Sequence, residues 1–62
     1  MILRPNKTQL ALMNAIKDYK ENTNILLIFN DKEEIMSVQE LRKWGLLKFL
    51  KHTKDLKDFH IK

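Results

Sequence analysis

The 62-residue chain contains no cysteine, one glycine, one proline and one serine. Without cysteine, disulfide bonds and thiolate zinc sites are excluded, which fits a reducing compartment. A single glycine excludes the glycine-rich loops that cradle phosphate groups. One serine and two histidines give no sequence support for a set of nucleophile, base and orienting group. We therefore expect a protein that is not an enzyme and that needs no cofactor, metal or small-molecule substrate.

Long hydrophobic segments are also missing. The longest apolar run covers residues 25–29, whereas a helix needs roughly 20 apolar residues to span a bilayer. Residues 1–5 are too short for the apolar region of a signal peptide, and Pro5 interrupts them. We expect no membrane span and a cytoplasmic location. Met1 on so short a chain leads us to expect a complete small protein.

The composition is that of a folded protein, with 44% hydrophobic and 32% charged residues. A chain of this length forms one domain over residues 1–62 and buries only about 60% of the surface that it exposes when unfolded. A homo-oligomer or another partner would add stability. Ten lysines against two arginines are typical of AT-rich coding sequence, which favours a small regulator or binding protein of the phage or mobile-element type.

The first helix is predicted over residues 7–22. Asn6 followed by Gln9 is typical of a helix N-cap. The apolar side chains that share one helical face are Leu12, Ala15, Ile16 and Tyr19.

Residues 25–29 form a short continuous apolar run, which predicts a strand buried on both faces. A strand needs partners for its backbone N–H and C=O groups. The chain offers residues 33–36 as the second strand of a hairpin, and residues 59–61 or 2–3 as further candidates. A second copy of the chain is the remaining candidate, and it would make a homodimer by edge pairing.

Ser37 and Glu40 match the capping-box pattern and predict a helix that begins at Val38. Gly45 is placed to end this helix in a left-handed conformation. A second amphipathic helix then follows to the C-terminus. The residues predicted on its apolar face are Leu46, Phe49, Leu50, Thr53, Leu56 and His60.

These elements predict an α+β fold: an N-terminal helix, a short β-hairpin or edge strand, and a C-terminal helical segment. The alternative is an all-α protein that resembles a helix-turn-helix, with the chain turning at Gly45. A further variant makes residues 47–51 and 57–61 a hairpin wing.

Positive charge is concentrated in residues 42–62, which have a net charge of +5, whereas residues 1–41 have a net charge of −1. Such a basic segment is typical of nucleic-acid binding, although a lysine-rich solvent-exposed helix face has the same pattern. The candidate site residues are Arg42, Lys43, Trp44, Lys48, Lys51, Lys54 and Lys57.

Trp44 has two alternative placements. On a helix that continues through Gly45 it lies among the lysines, where an indole stacks on bases. If the chain turns at Gly45, the indole rotates into the core.

We therefore expect a non-enzymatic regulator that binds nucleic acid. The alternatives are an adaptor or inhibitor that docks on an acidic protein and a purely structural homo-oligomer.

Overall fold

The computed structural model describes residues 4–62. Along this part of the chain the elements are α1 (Lys7–Asp18), β1 (Asn24–Phe29), β2 (Glu33–Ser37), α2 (Val38–Lys43), α3 (Leu46–Thr53) and β3 (Leu56–Ile61). The strands form one antiparallel sheet in the order β2-β1-β3, and the buried side chains of all three helices join one core with β1 and β3. The predicted α+β fold is confirmed, and the all-α alternative is wrong.

The N-terminus of α1 has the predicted cap. The Asn6 side chain accepts a hydrogen bond from the Gln9 backbone N–H at 2.9 Å, and the Gln9 side chain accepts one from the Asn6 N–H at 2.7 Å. The helix ends at Asp18 rather than at residue 22, because Tyr19 takes an extended conformation. Tyr19 is consequently 42% exposed. The prediction that it shares the buried face of α1 is wrong.

Strand β1 alternates between buried and partly exposed side chains. Ile25, Leu27 and Phe29 are buried, whereas Leu26 and Ile28 are partly exposed. Successive side chains on a strand point to opposite faces, and the helices supply the core on one face only. The prediction that β1 is buried on both faces is therefore wrong, and the second face of the sheet is open.

Both sides of β1 are occupied by other strands. Ile25 lies opposite Met36 of β2 and opposite Ile61 of β3. The predicted pairings with residues 33–36 and 59–61 are confirmed, while the candidate at residues 2–3 lies outside the described part of the chain. A central strand has no free edge, so β1 itself cannot pair with a second copy.

The predicted C-terminal helical segment is correct over its first part. Helix α2 begins at Val38, and the Ser37 hydroxyl accepts a hydrogen bond from the Glu40 N–H at 3.2 Å. Helical structure stops at Thr53, and β3 replaces the helix predicted beyond it. Pairing with β3 satisfies the backbone groups along the second side of β1, which would otherwise lack partners. The hairpin-wing variant is also wrong, because residues 47–51 are helical.

The break between α2 and α3 consists of two extended residues. Trp44 has φ −73° and ψ 139°, and Gly45 has φ −75° and ψ 168°. Gly45 is therefore the N-cap of α3 and not a left-handed C-terminal residue, which corrects the prediction. A Cβ atom at Gly45 would meet nothing within 4 Å, so neither the backbone nor the packing requires glycine here.

Candidate nucleic-acid interface

The side chain of Arg42, the first residue of the predicted site, forms hydrogen bonds within the protein. Its Nε and Nη2 donate to the Ile16 carbonyl at 3.0 and 2.8 Å, and Nη2 also donates to the Tyr19 carbonyl at 2.6 Å. The last carbonyl groups of a helix have no partner within the helix, and a cation there also complements the helix dipole. Arg42 therefore caps the C-terminus of α1 and joins it to α2.

A second polar contact fixes α3 against α1. Gln9 is only 4% exposed, and its Nε2 donates to the Leu50 carbonyl at 3.2 Å and to the Thr53 hydroxyl at 3.0 Å. The Thr53 hydroxyl in turn donates to the Phe49 carbonyl at 2.6 Å. Because this inner side of α3 is held by packing and hydrogen bonds, the opposite side is held facing solvent.

The outer side of α3 displays lysines at a spacing of three residues. Lys48 and Lys51 lie on α3, and Lys54 is its C-cap residue, which keeps helical backbone angles. All three are exposed, and at 3.6 residues per turn they lie within an arc of about 120°. We call these three residues the α3 lysine face. Lys43, the last residue of α2, is also exposed just before the turn into α3.

No carboxylate lies within ion-pair distance of this face. Within residues 4–62 the close contacts between basic and acidic side chains are Lys32 with Glu34 at 3.9 Å and His60 with Asp58 at 3.8 Å. Neither pair includes Lys43 or the α3 lysine face. The predicted ammonium groups at positions 43, 48, 51 and 54 thus have no ion-pair partner within residues 4–62.

Trp44 lies at the edge of the core, between its two predicted placements. It is partly buried, and its ring meets that of Phe49 edge to face at a centroid distance of 6.4 Å. The His52 ring lies 5.0 Å away, and Lys48 Nζ lies 5.5 Å from the indole centroid. The indole therefore packs against three side chains, and it holds Lys48 through a cation–π contact.

The structure does not place Lys57 on the helical surface. Lys57 belongs to β3, at a register shift opposite Ile28 and Phe29. An extra residue at such an irregularity is left out of the regular ladder. The seven predicted residues thus separate into one residue that caps a helix, one packed tryptophan, one strand lysine and four exposed lysines, at positions 43, 48, 51 and 54.

A cleft of about 220 Å³ lies beside the turn between α2 and α3. Its apolar lining includes Met13, Trp44 and Leu46, and Lys17 and Arg42 contribute the cations. Sequence reasoning missed Lys17, because nothing local brings α1 next to this turn. The sequence analysis also missed the contact of His52 with Trp44. Lys48 and His52 are four residues apart and therefore lie on the same side of a helix.

Residues 4–62 contain no helix long and apolar enough to cross a membrane. In the same range, no three His, Asp or Glu side chains come together as ligands for a metal ion. Comparisons with protein-family models, with curated proteins and with solved structures found no match.

Proposed function

We propose that this protein is a small non-enzymatic regulator that binds nucleic acid through Lys43 and the α3 lysine face. The observation that carries the proposal is a run of exposed lysines from the end of α2 to the C-cap of α3, with no ion-pair partner within residues 4–62. A polyanion provides the missing negative charge, and each phosphate contact releases condensed counterions. The proposal includes a cytoplasmic location and an origin in a phage or mobile element.

The chemistry of these side chains favours contact with the phosphate backbone over reading of bases. Lysine is a point charge on a flexible stem, whereas arginine provides the planar fork that pairs with guanine. Arg42 uses its fork on the carbonyl groups of α1. Trp44 is packed against Phe49 and His52, so we assign it the role of positioning Lys48. We expect binding with little dependence on base sequence.

The test is fluorescence anisotropy with labelled duplex and single-stranded oligonucleotides over a salt series. Four lysine contacts on duplex DNA correspond to a slope of about −3.6 in a plot of log K against log salt. The double variant Lys48→Ala, Lys51→Ala is expected to reduce the slope by about 2. The matched control is Lys7→Ala, Lys20→Ala, which removes the same charge from exposed lysines outside α2 and α3 that also form no ion pair within residues 4–62.

Two outcomes would count against the proposal. Absence of binding at roughly 50 mM salt, where such contacts are strong, would overturn it. Equal losses in the two double variants would show that total charge, and not the α3 lysine face, is responsible.

The cleft beside Trp44 favours a second candidate function, docking on an acidic protein. An apolar cleft with Lys17 and Arg42 among its lining residues fits an amphipathic segment that carries acidic residues next to its apolar ones. Leu46 lines this cleft and is 53% exposed, whereas Leu47 is 67% exposed and does not line it. Affinity capture from a cell extract is expected to fail with Leu46→Glu and to persist with Leu47→Glu.

A further inference from the structure

We propose that the outer edge of β2 pairs with the same strand of a second copy of this chain. The two strands would run antiparallel about a two-fold axis at Ile35, and the two sheets would become one continuous sheet. This inference concerns a different surface from the α3 lysine face, and it does not depend on nucleic-acid binding.

The ladder between β1 and β2 shows which backbone groups of β2 remain free. At one end the Phe29 N–H donates to the Lys32 carbonyl at 2.9 Å, and at the other the Val38 N–H donates to the Thr23 carbonyl at 2.8 Å. Hydrogen-bonded and non-hydrogen-bonded pairs alternate in an antiparallel ladder. The β2 residues whose backbone groups point away from β1 are therefore Glu33, Ile35 and Ser37. Glu33 and Ile35 offer both their N–H and C=O groups, whereas Ser37 offers its N–H, because the carbonyl of a helix N-cap accepts the first hydrogen bond of the helix.

The order of side chains along β2 suits pairing with itself. Ile35 is the middle residue of the strand, so a two-fold axis there places it opposite its own copy. Glu33 then faces Ser37 of the second copy, and Glu34 faces Met36. No carboxylate lies directly opposite another. A register centred on Glu34 would set Glu34 against itself, and like charges directly opposite are destabilising.

The open face of the sheet adds an apolar contribution to the same register. Ile35 is 58% exposed and lies beside the partly exposed Leu26 on β1. In the proposed pair, the two Ile35 side chains would meet between the two Leu26 side chains, in one apolar row. Burial of this row supplies a driving force that the backbone hydrogen bonds alone lack.

The other edge of the sheet is less suited to such pairing. Strand β3 contains a register shift near Lys57. Bulges are features that protect edges from pairing. Strand β2 pairs with β1 in regular register over its whole length, so the edge available for a second copy is that of β2.

The first experiment measures molar mass by light scattering or sedimentation over a range of protein concentrations, without nucleic acid. We expect the mass to rise from that of one chain to that of two. Ile35→Lys is expected to remain a monomer, whereas Leu47→Lys, a similar change at an exposed leucine of α3, is expected to dimerise. A native protein that stays monomeric at its highest soluble concentration would overturn the proposal.

The second experiment tests the register by disulfide formation, which is specific because the chain has no cysteine of its own. In the proposed register the two Cα atoms at Ile35 lie about 5.5 Å apart, within the range that a disulfide spans. The two Cα atoms at Glu34 lie roughly 8 Å apart, beyond that range. Oxidation is therefore expected to cross-link Ile35→Cys and not Glu34→Cys.

Cross-linking of Glu34→Cys, alone or together with Ile35→Cys, would contradict the register, and cross-linking of neither variant would contradict the interface. Loss of nucleic-acid binding in an otherwise dimeric protein would leave this inference intact and count only against the proposed function.

Discussion

The inner and outer sides of α3 differ in how much of each side chain the fold uses. On the inner side, Phe49 and Leu50 are buried in the core and Thr53 is held by Gln9. On the outer side, Lys48 and Lys51 are exposed and have no carboxylate partner within residues 4–62. The residues that stabilise the fold and the residues of the candidate site thus lie on opposite sides of one short helix. Substitutions on the inner side should change the free energy of unfolding, and substitutions on the outer side should change nucleic-acid binding.

Arg42 shows that a positively charged residue in this region can serve the fold and not the candidate site. It is as cationic as the lysines and adjoins Lys43 in the chain, yet its guanidinium contacts the carbonyl groups at the end of α1. In its effect on stability it belongs with the inner side of α3. Substitutions on the two sides of α3, at Arg42 and in the turn before α3 can therefore test this difference.

Phe49→Ala is expected to have the largest effect on the inner side. Phe49 is 5% exposed, and truncation of a buried phenylalanine costs about 3–5 kcal/mol. This is comparable to the whole stability of a small domain, so the variant should be largely unfolded by circular dichroism. Leu47→Ala, on the exposed side of the same helix, is the control and should unfold at nearly the native urea concentration. A native-like Phe49→Ala protein would contradict the inner-side assignment.

Thr53→Val keeps the shape of the side chain and removes its hydroxyl. The Gln9 amide would lose one acceptor and the Phe49 carbonyl one donor, at a cost of about 1–3 kcal/mol in unfolding free energy. Urea denaturation of Thr53→Val, Gln9→Leu and the double variant measures the coupling. The double variant should lose less than the sum of the single losses, and strict additivity would contradict a shared hydrogen bond.

Arg42→Lys retains the charge and removes the planar fork. We expect a loss of about 1–2 kcal/mol, because one ammonium group cannot reproduce the paired contacts with the Ile16 and Tyr19 carbonyls. Lys43→Arg is the matched control and should leave unfolding unchanged. If Arg42→Lys kept native stability but weakened nucleic-acid binding, Arg42 would belong with the lysines.

Gly45→Ser tests the turn that joins the two helices and has the smallest expected effect. Its backbone angles suit any residue, and a Cβ atom has room. Serine adds the side-chain cap that α3 lacks, so stability should rise by a few tenths of a kcal/mol, roughly the difference between serine and glycine caps. A loss of stability in thermal unfolding would show that the turn does require glycine.

The structural features that were predicted correctly from the sequence are those set by contacts between residues close together in the chain. The cap formed by Asn6 and Gln9, and the helix start after Ser37, rest on contacts between residues three apart. Residues 56–61 could not be assigned in this way, since Leu56 also fits the apolar face of a continuing helix. The second side of β1 decided their conformation, because its backbone groups needed a partner.

The same division holds for the candidate site. The order of residues is enough to predict that positive charge is concentrated near the C-terminus, that the chain has no thiol and that helices begin at Lys7 and Val38. The packing of distant segments is what makes Arg42 cap α1, places Trp44 at the edge of the core and leaves one face of the sheet open. The reason is distance along the chain: Arg42 and Ile16 are 26 residues apart, and such a contact exists only after the helices have packed.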